Sequence, residues 1–288
     1  MKRIDHLVVV GVGLIGGSFA SALRQAGVVG RITGVGRRPE TLAEAKRLGL
    51  IDEVATDCRC AAEADLVMLA MPVGQSASVM RSLASCVGTE TVITDAGSTK
   101  RDVIAAARTE LPRSFARFVP GHPIAGTEHS GPAAAFPDLF RERRVVLTPL
   151  PETSKAATAR VREAWEACGA RVSELTPETH DRVLATVSHL PHLLAFALVD
   201  QVARSEDAKE TFSYAAGGFR DFTRIASSHP EMWRDICVAN RTAVLEELAK
   251  YEKVLGELRQ FLEAGDAAAL EAVFERARNA RNAWIDGR

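Results

Sequence analysis

Residues 7–18, Leu-Val-Val-Val-Gly-Val-Gly-Leu-Ile-Gly-Gly-Ser, decide the fold. Four apolar residues are too few for a helix and suit a buried strand, and from Ser18 to Gln25 the apolar residues recur at helical spacing. Between the two lie Gly11, Gly13 and Gly16 in the pattern GxGxxG. In a strand-turn-helix context each glycine serves a separate purpose. Gly11 makes the tight turn, Gly13 lets a pyrophosphate approach the backbone, and Gly16 lets the helix lie close on the strand. Leu14 and Ile15 fall in the first turn, where free N–H groups and the positive helix end favour phosphate. Gly11, Gly13, Leu14, Ile15 and Gly16 are therefore the expected dinucleotide-binding residues.

Working outward, short apolar runs at 7–10, 32–35, 66–70, 92–94, 118–120 and 145–148 alternate with amphipathic stretches such as 18–25, 41–48 and 100–108. That alternation predicts an α/β fold, a Rossmann-type doubly wound sheet over residues 1–174, with an edge strand near Val172. After Thr176-Pro177-Glu178, an N-cap, a first-turn proline and an acidic first turn, no further strand is expected. Residues 175–288 read as an all-helical dimerisation domain that also binds substrate. The stretch 192–203 is apolar nearly all round and predicts a buried helix. Val244, Leu248, Tyr251, Leu255, Leu258 and Leu262 form a coiled-coil-like seam, with Glu246 expected to pair Lys250 outside it. Such seams imply a homodimer.

The 288 residues are 47% hydrophobic and 25% charged with a net charge of -1, which excludes disordered, fibrous and disulfide-scaffold classes. The balanced charge supplies no footprint for nucleic acid or an anionic membrane, so a small molecule is the expected partner. Five cysteines in a scattered set, Cys58, Cys60, Cys86, Cys168 and Cys237, fit reduced thiols in a cytoplasmic protein. No stretch reads as approaching the roughly 20 apolar residues of a membrane span, and glycines interrupt the N-terminal apolar run too early for a signal peptide. No metal is expected: His189 and His192, three apart, lack an acidic partner at matching spacing.

A carboxylate after the second strand would favour NAD. Here the strand runs into Gly36-Arg37-Arg38, leaving space and two guanidiniums for a 2′-phosphate. NADP is the expected cofactor; the alternatives are that Arg37 and Arg38 are a solvated helix-entry pair, or that they stack on adenine and leave NAD acceptable. Three further loops fall at strand ends: 70–73 with Pro72, counted as a cofactor contact, 94–100 with Ser98, and 121–127 with His122. A histidine just past a strand has little structural excuse and suits proton transfer.

Taken together, GVGLIGGS, TDAGSTK, GHPIAGTEHSG, TPETHDRV, SHLPH, GGFRDFTRIA and MWRDI resemble the prephenate and arogenate dehydrogenase family of tyrosine biosynthesis. The resemblance implies oxidative decarboxylation of a cyclohexadienol, with hydride passing to a nicotinamide cofactor, in a homodimer with interlocked helical domains. It also implies roles: His122 takes or binds the hydroxyl proton, Ser98 orients His122, Thr127 and His192 line the pocket, and Arg224 anchors a substrate carboxylate. Blander readings are an N-cap role for Ser98 and an Asp221 ion pair for Arg224. His189 is expected beside the pocket, and His129, His180 and His229 at surface or structural positions. The competing functions are a beta-hydroxyacid dehydrogenase of the same architecture and a non-catalytic nucleotide sensor.

Overall fold

The computed structural model describes residues 2–127 and 129–287, which divide into two compact units, Met1–Arg241 and Thr242–Arg288. The first unit opens with β1 (Ile4–Val10), α1 (Leu14–Gln25), β2 (Val29–Val35), α2 (Pro39–Arg47), β3 (Glu53–Ala55), β4 (Leu66–Leu69), α3 (Ser76–Ala84), β5 (Val92–Asp95), α4 (Arg101–Glu110) and β6 (Phe118–Val119). These strands form an all-parallel sheet in the order β3-β2-β1-β4-β5-β6. The order reverses between β1 and β4, and ligands of such sheets sit outside the carboxyl ends at that point. Leu7 and Val9 pack into one core layer while Val8 and Val10 pack into the other. This is why the strand reads as continuously apolar rather than alternating.

Next come β7 (Gly121–Pro123), β8 (Arg144–Leu147), α5 (Lys155–Ala167) and β9 (Arg171–Glu174). They correct the expectation in two places. Val145 to Leu147 do not extend the parallel sheet but sit at the centre of a separate one, ordered β7-β8-β9, and β9 is an edge of that sheet. His122 lies on a strand rather than in a loop, opposite Val146. A three-residue strand reading Gly-His-Pro has no periodicity from which to be recognised.

The helices α6 (Pro177–Leu184), α7 (Leu190–Ala203), α8 (Ala208–Ser213), α9 (Gly217–Thr223) and α10 (Pro230–Ala239) complete the first unit. Thr176 caps α6 as expected, its hydroxyl accepting from the Thr179 N–H, with Pro177 at the first position. A π-helical turn at Ala185–His189 joins α6 to α7. The run Pro177–Ala203 is thus one helix long and apolar enough to cross a membrane, contrary to the sequence expectation, because the π turn carries the helix through Pro191. It also carries the buried, ionised carboxylate of Asp181. The 192–203 helix is less buried than expected: Leu190 and Ala195 are enclosed and most of its other residues only half so. Trp233 and Ile236 of α10 join the second core layer, which ties these helices to the sheet.

The second unit contains α11 (Arg241–Ala264) and α12 (Ala267–Asp286), the former beginning at the boundary residue. Gly265 (φ 65°) ends α11 in a Schellman motif, with its N–H bonded to Leu262 and the Asp266 N–H to Phe261. Asp266 then caps α12. In the seam Val244 is buried, Leu248, Tyr251 and Leu258 are half-buried, and Leu255 and Leu262 are exposed. Lys250 pairs Glu247 at 2.6 Å, not Glu246, the i,i+3 partner being the nearer on the helix surface.

Candidate active site

At the carboxyl end of β1 two of the three glycines stand where the backbone leaves no room for a side chain. Gly11 has φ 94°, and a Cβ on it would stand 2.7 Å from the Ala70 carbonyl oxygen. A Cβ on Gly16 would strike the Gly11 carbonyl oxygen and the Val9 side chain. At Gly13 a Cβ would meet nothing within 4 Å. That open space lies over the first turn of α1, which has no capping side chain and no acidic residue. The cradle fits a dinucleotide pyrophosphate, with Leu14 and Ile15 in the turn. Pro72 is exposed on the loop after β4. Arg37 and Arg38 are exposed after β2, and neither makes a hydrogen bond or ion pair through its side chain with the described residues.

Beyond β5 the chain builds a buried polar cluster. Asp95 ends the strand and receives the Gly97 N–H at 2.8 Å on Oδ2 and the Gly121 N–H at 3.0 Å on Oδ1. Lys100, 0% exposed, donates from Nζ to Asp95 Oδ2 at 2.5 Å and to the Gly121 carbonyl at 2.6 Å. The backbone next to His122 is thereby fixed from both sides. The ring of His122, 9% exposed, meets His180 at 2.9 Å between Nδ1 and Nε2. His180 Nδ1 in turn lies 2.8 Å from Asp181 Oδ1. Asp181 also accepts the Lys100 and Arg101 N–H groups at 2.8 and 3.0 Å, capping α4 from a different helix. Ser98 does not cap α4, and no hydrogen bond joins it to His122 among the described residues; it is half-buried in the loop that the cluster encloses.

Electrostatics follow from this enclosure. Burial lowers the His122 pKa well below the ordinary histidine value, with His180, Lys100 and His189 adding in the same direction. Burial also lowers His180 and takes His189 down to about 4. Burial opposes ionisation of Asp181, but His180 and the α4 N–H groups outweigh it and hold the carboxyl below its usual range. All three imidazoles are neutral at pH 7 and the carboxylate is ionised.

His189 meets the Asn240 amide at 3.0 Å, and that amide also donates to the Asp181 carbonyl at 2.8 Å. His192 sits beside the Ser188 carbonyl at 2.8 Å through Nδ1 and stacks on Trp233 with ring centroids 3.5 Å apart. The Trp233 indole N–H is buried without an acceptor among the described residues. Arg224 is exposed at the start of a 3₁₀ turn and forms no ion pair with Asp221 among the described residues. Burial lowers the His192 pKa, and the charge of Arg224 acts in the same direction. Thr127 is exposed, and among the described residues its hydroxyl bonds the His129 backbone alone. No group of three or more metal-ligating side chains occurs among the described residues.

Four residues of this cluster, Lys100, Asp181, Trp233 and Asn240, have no assigned role on sequence grounds, and His180 is expected only at a surface or structural position. A signal exists for two of the five. Pro177, His180, Asp181 and Leu184 form the buried stripe of α6, so two polar residues occupy core positions of an amphipathic helix.

Comparison with known proteins shows the family of the chain. Residues 19–174 match the family model "Prephenate dehydrogenase, nucleotide-binding domain", and residues 176–276 match "Prephenate dehydrogenase, dimerization domain". The chain is 38% identical to a prephenate dehydrogenase of Bacillus subtilis over 96% of this chain and 76% of that protein. It is 37% identical to a cyclohexadienyl dehydrogenase of Zymomonas mobilis, over 98% and 96%. The crystal structure of prephenate dehydrogenase from A. aeolicus in complex with hydroxyphenyl propionate and NAD+ superposes with a TM-score of 0.90 at 38% identity, covering 96% of this chain and 97% of that one. The chain belongs to the prephenate dehydrogenase family.

Proposed function

We propose that this chain oxidises and decarboxylates prephenate or its amine, arogenate, to make the aromatic ring of tyrosine, with His122 as proton acceptor. The observation that carries this reading is a buried, neutral histidine next to the carboxyl end of the nucleotide-binding sheet, its backbone clamped by Asp95 and Lys100. The residues of the cradle, Gly11, Gly13, Leu14, Ile15 and Gly16, hold the dinucleotide phosphates, with Pro72 beside them. When bound, the nicotinamide supplies the hydride acceptor. His122 accepts the proton of the ring hydroxyl as C4 is oxidised. Loss of the ring carboxylate as CO2 then returns an electron pair to the ring, and the oxygen regains a proton from His122. Aromatisation drives the step, so the protein has to orient the ring and serve the oxygen.

Ser98 lies in the loop that holds the hydroxyl and nicotinamide in register with His122. His192 lines the pocket with its Trp233 stack, whose orphan indole N–H offers a donor to a substrate oxygen. Thr127 contributes from the exposed rim of the pocket after β7, and Arg224 anchors a substrate carboxylate. Rates with prephenate and arogenate, each with NAD and NADP, test the reading: oxidation of neither substrate with either nucleotide overturns it. In Arg224→Ala the KM for the cyclohexadienol rises by roughly 10- to 150-fold, the loss of a charge-assisted contact of about 1.5 to 3 kcal/mol, while the nucleotide KM stays near wild type. Equal weakening of both would instead make the arginine a structural support.

The preferred nucleotide is NADP. Gly36 leaves space beside the exposed Arg37 and Arg38, whose guanidiniums suit a 2′-phosphate. A Cβ at Gly36 would lie 3.3 Å from the flexible end of Leu42, so a carboxylate can be introduced there. Gly36→Asp with Arg37→Ala then shifts the kcat/KM ratio from NADP toward NAD by more than about tenfold, taking roughly 1.5 kcal/mol per charged contact. A wild-type preference for NAD overturns the assignment before any variant is made.

The active form is a homodimer working in the cytoplasm. Val187, Phe212, Tyr214 and Phe222 in the first unit, and Leu255, Leu262 and Phe274 in the second, expose apolar surface that a second copy would cover. All five cysteines are free thiols, which suits a reducing compartment. The domain division at 174/175 separates cofactor binding from dimerisation and substrate binding.

A further inference from the structure

We propose that His180 is a positioning residue that, held by Asp181, fixes the tautomer of His122 so that its Nε2 faces the substrate as a lone pair. The proposal rests on His122 as proton acceptor but makes its own claim about where two ring protons reside.

Hydrogen-bonding chemistry settles the arrangement one atom at a time. An ionised carboxylate can only accept, so His180 Nδ1, 2.8 Å from Asp181 Oδ1, must carry a hydrogen. A neutral imidazole has one N–H, so His180 Nε2 is then a bare acceptor. The atom 2.9 Å away, His122 Nδ1, must therefore donate. Having spent its single hydrogen there, neutral His122 presents Nε2 unprotonated. Both rings are buried, which keeps them neutral. The direction of the whole chain is set at Asp181, and Asp181 is itself immobilised: it accepts two backbone N–H groups of the α4 end, and Asn240 donates to its carbonyl. When His122 takes a proton, the same chain stabilises the imidazolium through an acceptor already in place at Nδ1.

The alternative tautomer places a hydrogen on His122 Nε2, where it can donate to a hydroxyl oxygen but cannot remove its proton. His180→Leu opens the way to that state, because it removes the acceptor that keeps the hydrogen of His122 on Nδ1, and an imidazole without such a partner takes the Nε2–H form in preference.

The test uses the full chain labelled with ¹⁵N-histidine, and long-range ¹H–¹⁵N correlation at pH 8. In the wild type, His122 and His180 are both expected as Nδ1–H tautomers; in His180→Leu, His122 becomes Nε2–H. The nitrogen shifts read this without reference to activity, so the relay can stand or fall apart from the role of His122 in the reaction. In kinetics the expected loss of kcat is roughly 10²- to 10⁴-fold with the KM of the cyclohexadienol near wild type. Because Asp181 also caps α4, the variants stand at His180 and leave the cap untouched. His180→Leu is expected to lose kcat on the same scale, whereas His180→Gln, whose Oε1 can accept from His122 Nδ1, regains at least about tenfold over it. An Nε2–H tautomer of His122 in the wild type, or a His180→Leu kcat within about threefold of wild type, overturns the proposal.

Discussion

His122→Asn lowers kcat by roughly 10²- to 10⁴-fold with little change in KM, the scale on which a positioned general base contributes. Asparagine keeps a polar group near the ring hydroxyl and can satisfy His180, so the fold is retained and proton acceptance is lost. The pH profile gives an independent check. Only neutral imidazole accepts a proton, so kcat falls as pH drops through the His122 pKa. Burial moves that value well below 6.5, and the facing groups act in the same direction: the rings of His180 and His189, and the ammonium of Lys100 that Asp95 holds in place. Asp181 lies one ring further away, beyond His180. The acid limb is therefore centred well below the ordinary histidine value of 6.5, and a profile still flat just under neutrality is the expected form. A limb centred at or above 6.5 that persists in His122→Asn would assign it to another group, and a variant retaining most of its kcat would remove His122 from the reaction.

The parts of this molecule that are legible in the sequence are those whose physics is local. Gly11, Gly13 and Gly16 announce a tight strand-to-helix turn because the turn, the open space and the close helix contact all arise within one short loop. Thr176-Pro177-Glu178 announces a helix start for the same reason. The small sheet is not legible, because β7 and β8 are separated by some twenty residues of chain and neither strand carries a signal naming its partner. Lys100 escapes notice because a lysine at the end of a polar loop reads as solvated. Its burial depends on Asp95, five residues earlier, and on the Gly121 carbonyl, twenty-one later. His180 illustrates a third case. The helical stripe marks it as buried, but a buried histidine has many uses, and only the 2.9 Å approach of His122 from another element gives it a chemical one. The 192–203 helix reads as buried because it is apolar all round, a property that suits the interior of one chain and the interface between two equally well.

Lys100→Met is expected to destabilise the protein by about 3 to 5 kcal/mol, the cost of leaving a buried charge without its partner. The methionine fills much of the volume but offers no donor. Asp95 is then left as a buried carboxylate with the Gly97 and Gly121 N–H groups alone, and the Gly121 carbonyl loses the Lys100 ammonium. Against a typical total stability of about 5 to 15 kcal/mol, such a loss is large, and urea unfolding would show it as a lower midpoint with little change in slope. The double variant Lys100→Met with Asp95→Asn separates the cause. A neutral amide needs no counter-charge and can still accept from a backbone N–H, so the pair together cost less than the sum of the two single changes. Additive losses would mean that the lysine acts through packing alone. The functional consequence follows from the same contacts: Lys100 holds the peptide that leads into His122, and its backbone N–H is bound by the carboxylate that orients His180. A folded Lys100→Met protein should therefore also lose kcat, because the buried ion pair fixes the backbone under His122 and holds the residue whose N–H Asp181 grips while it orients His180.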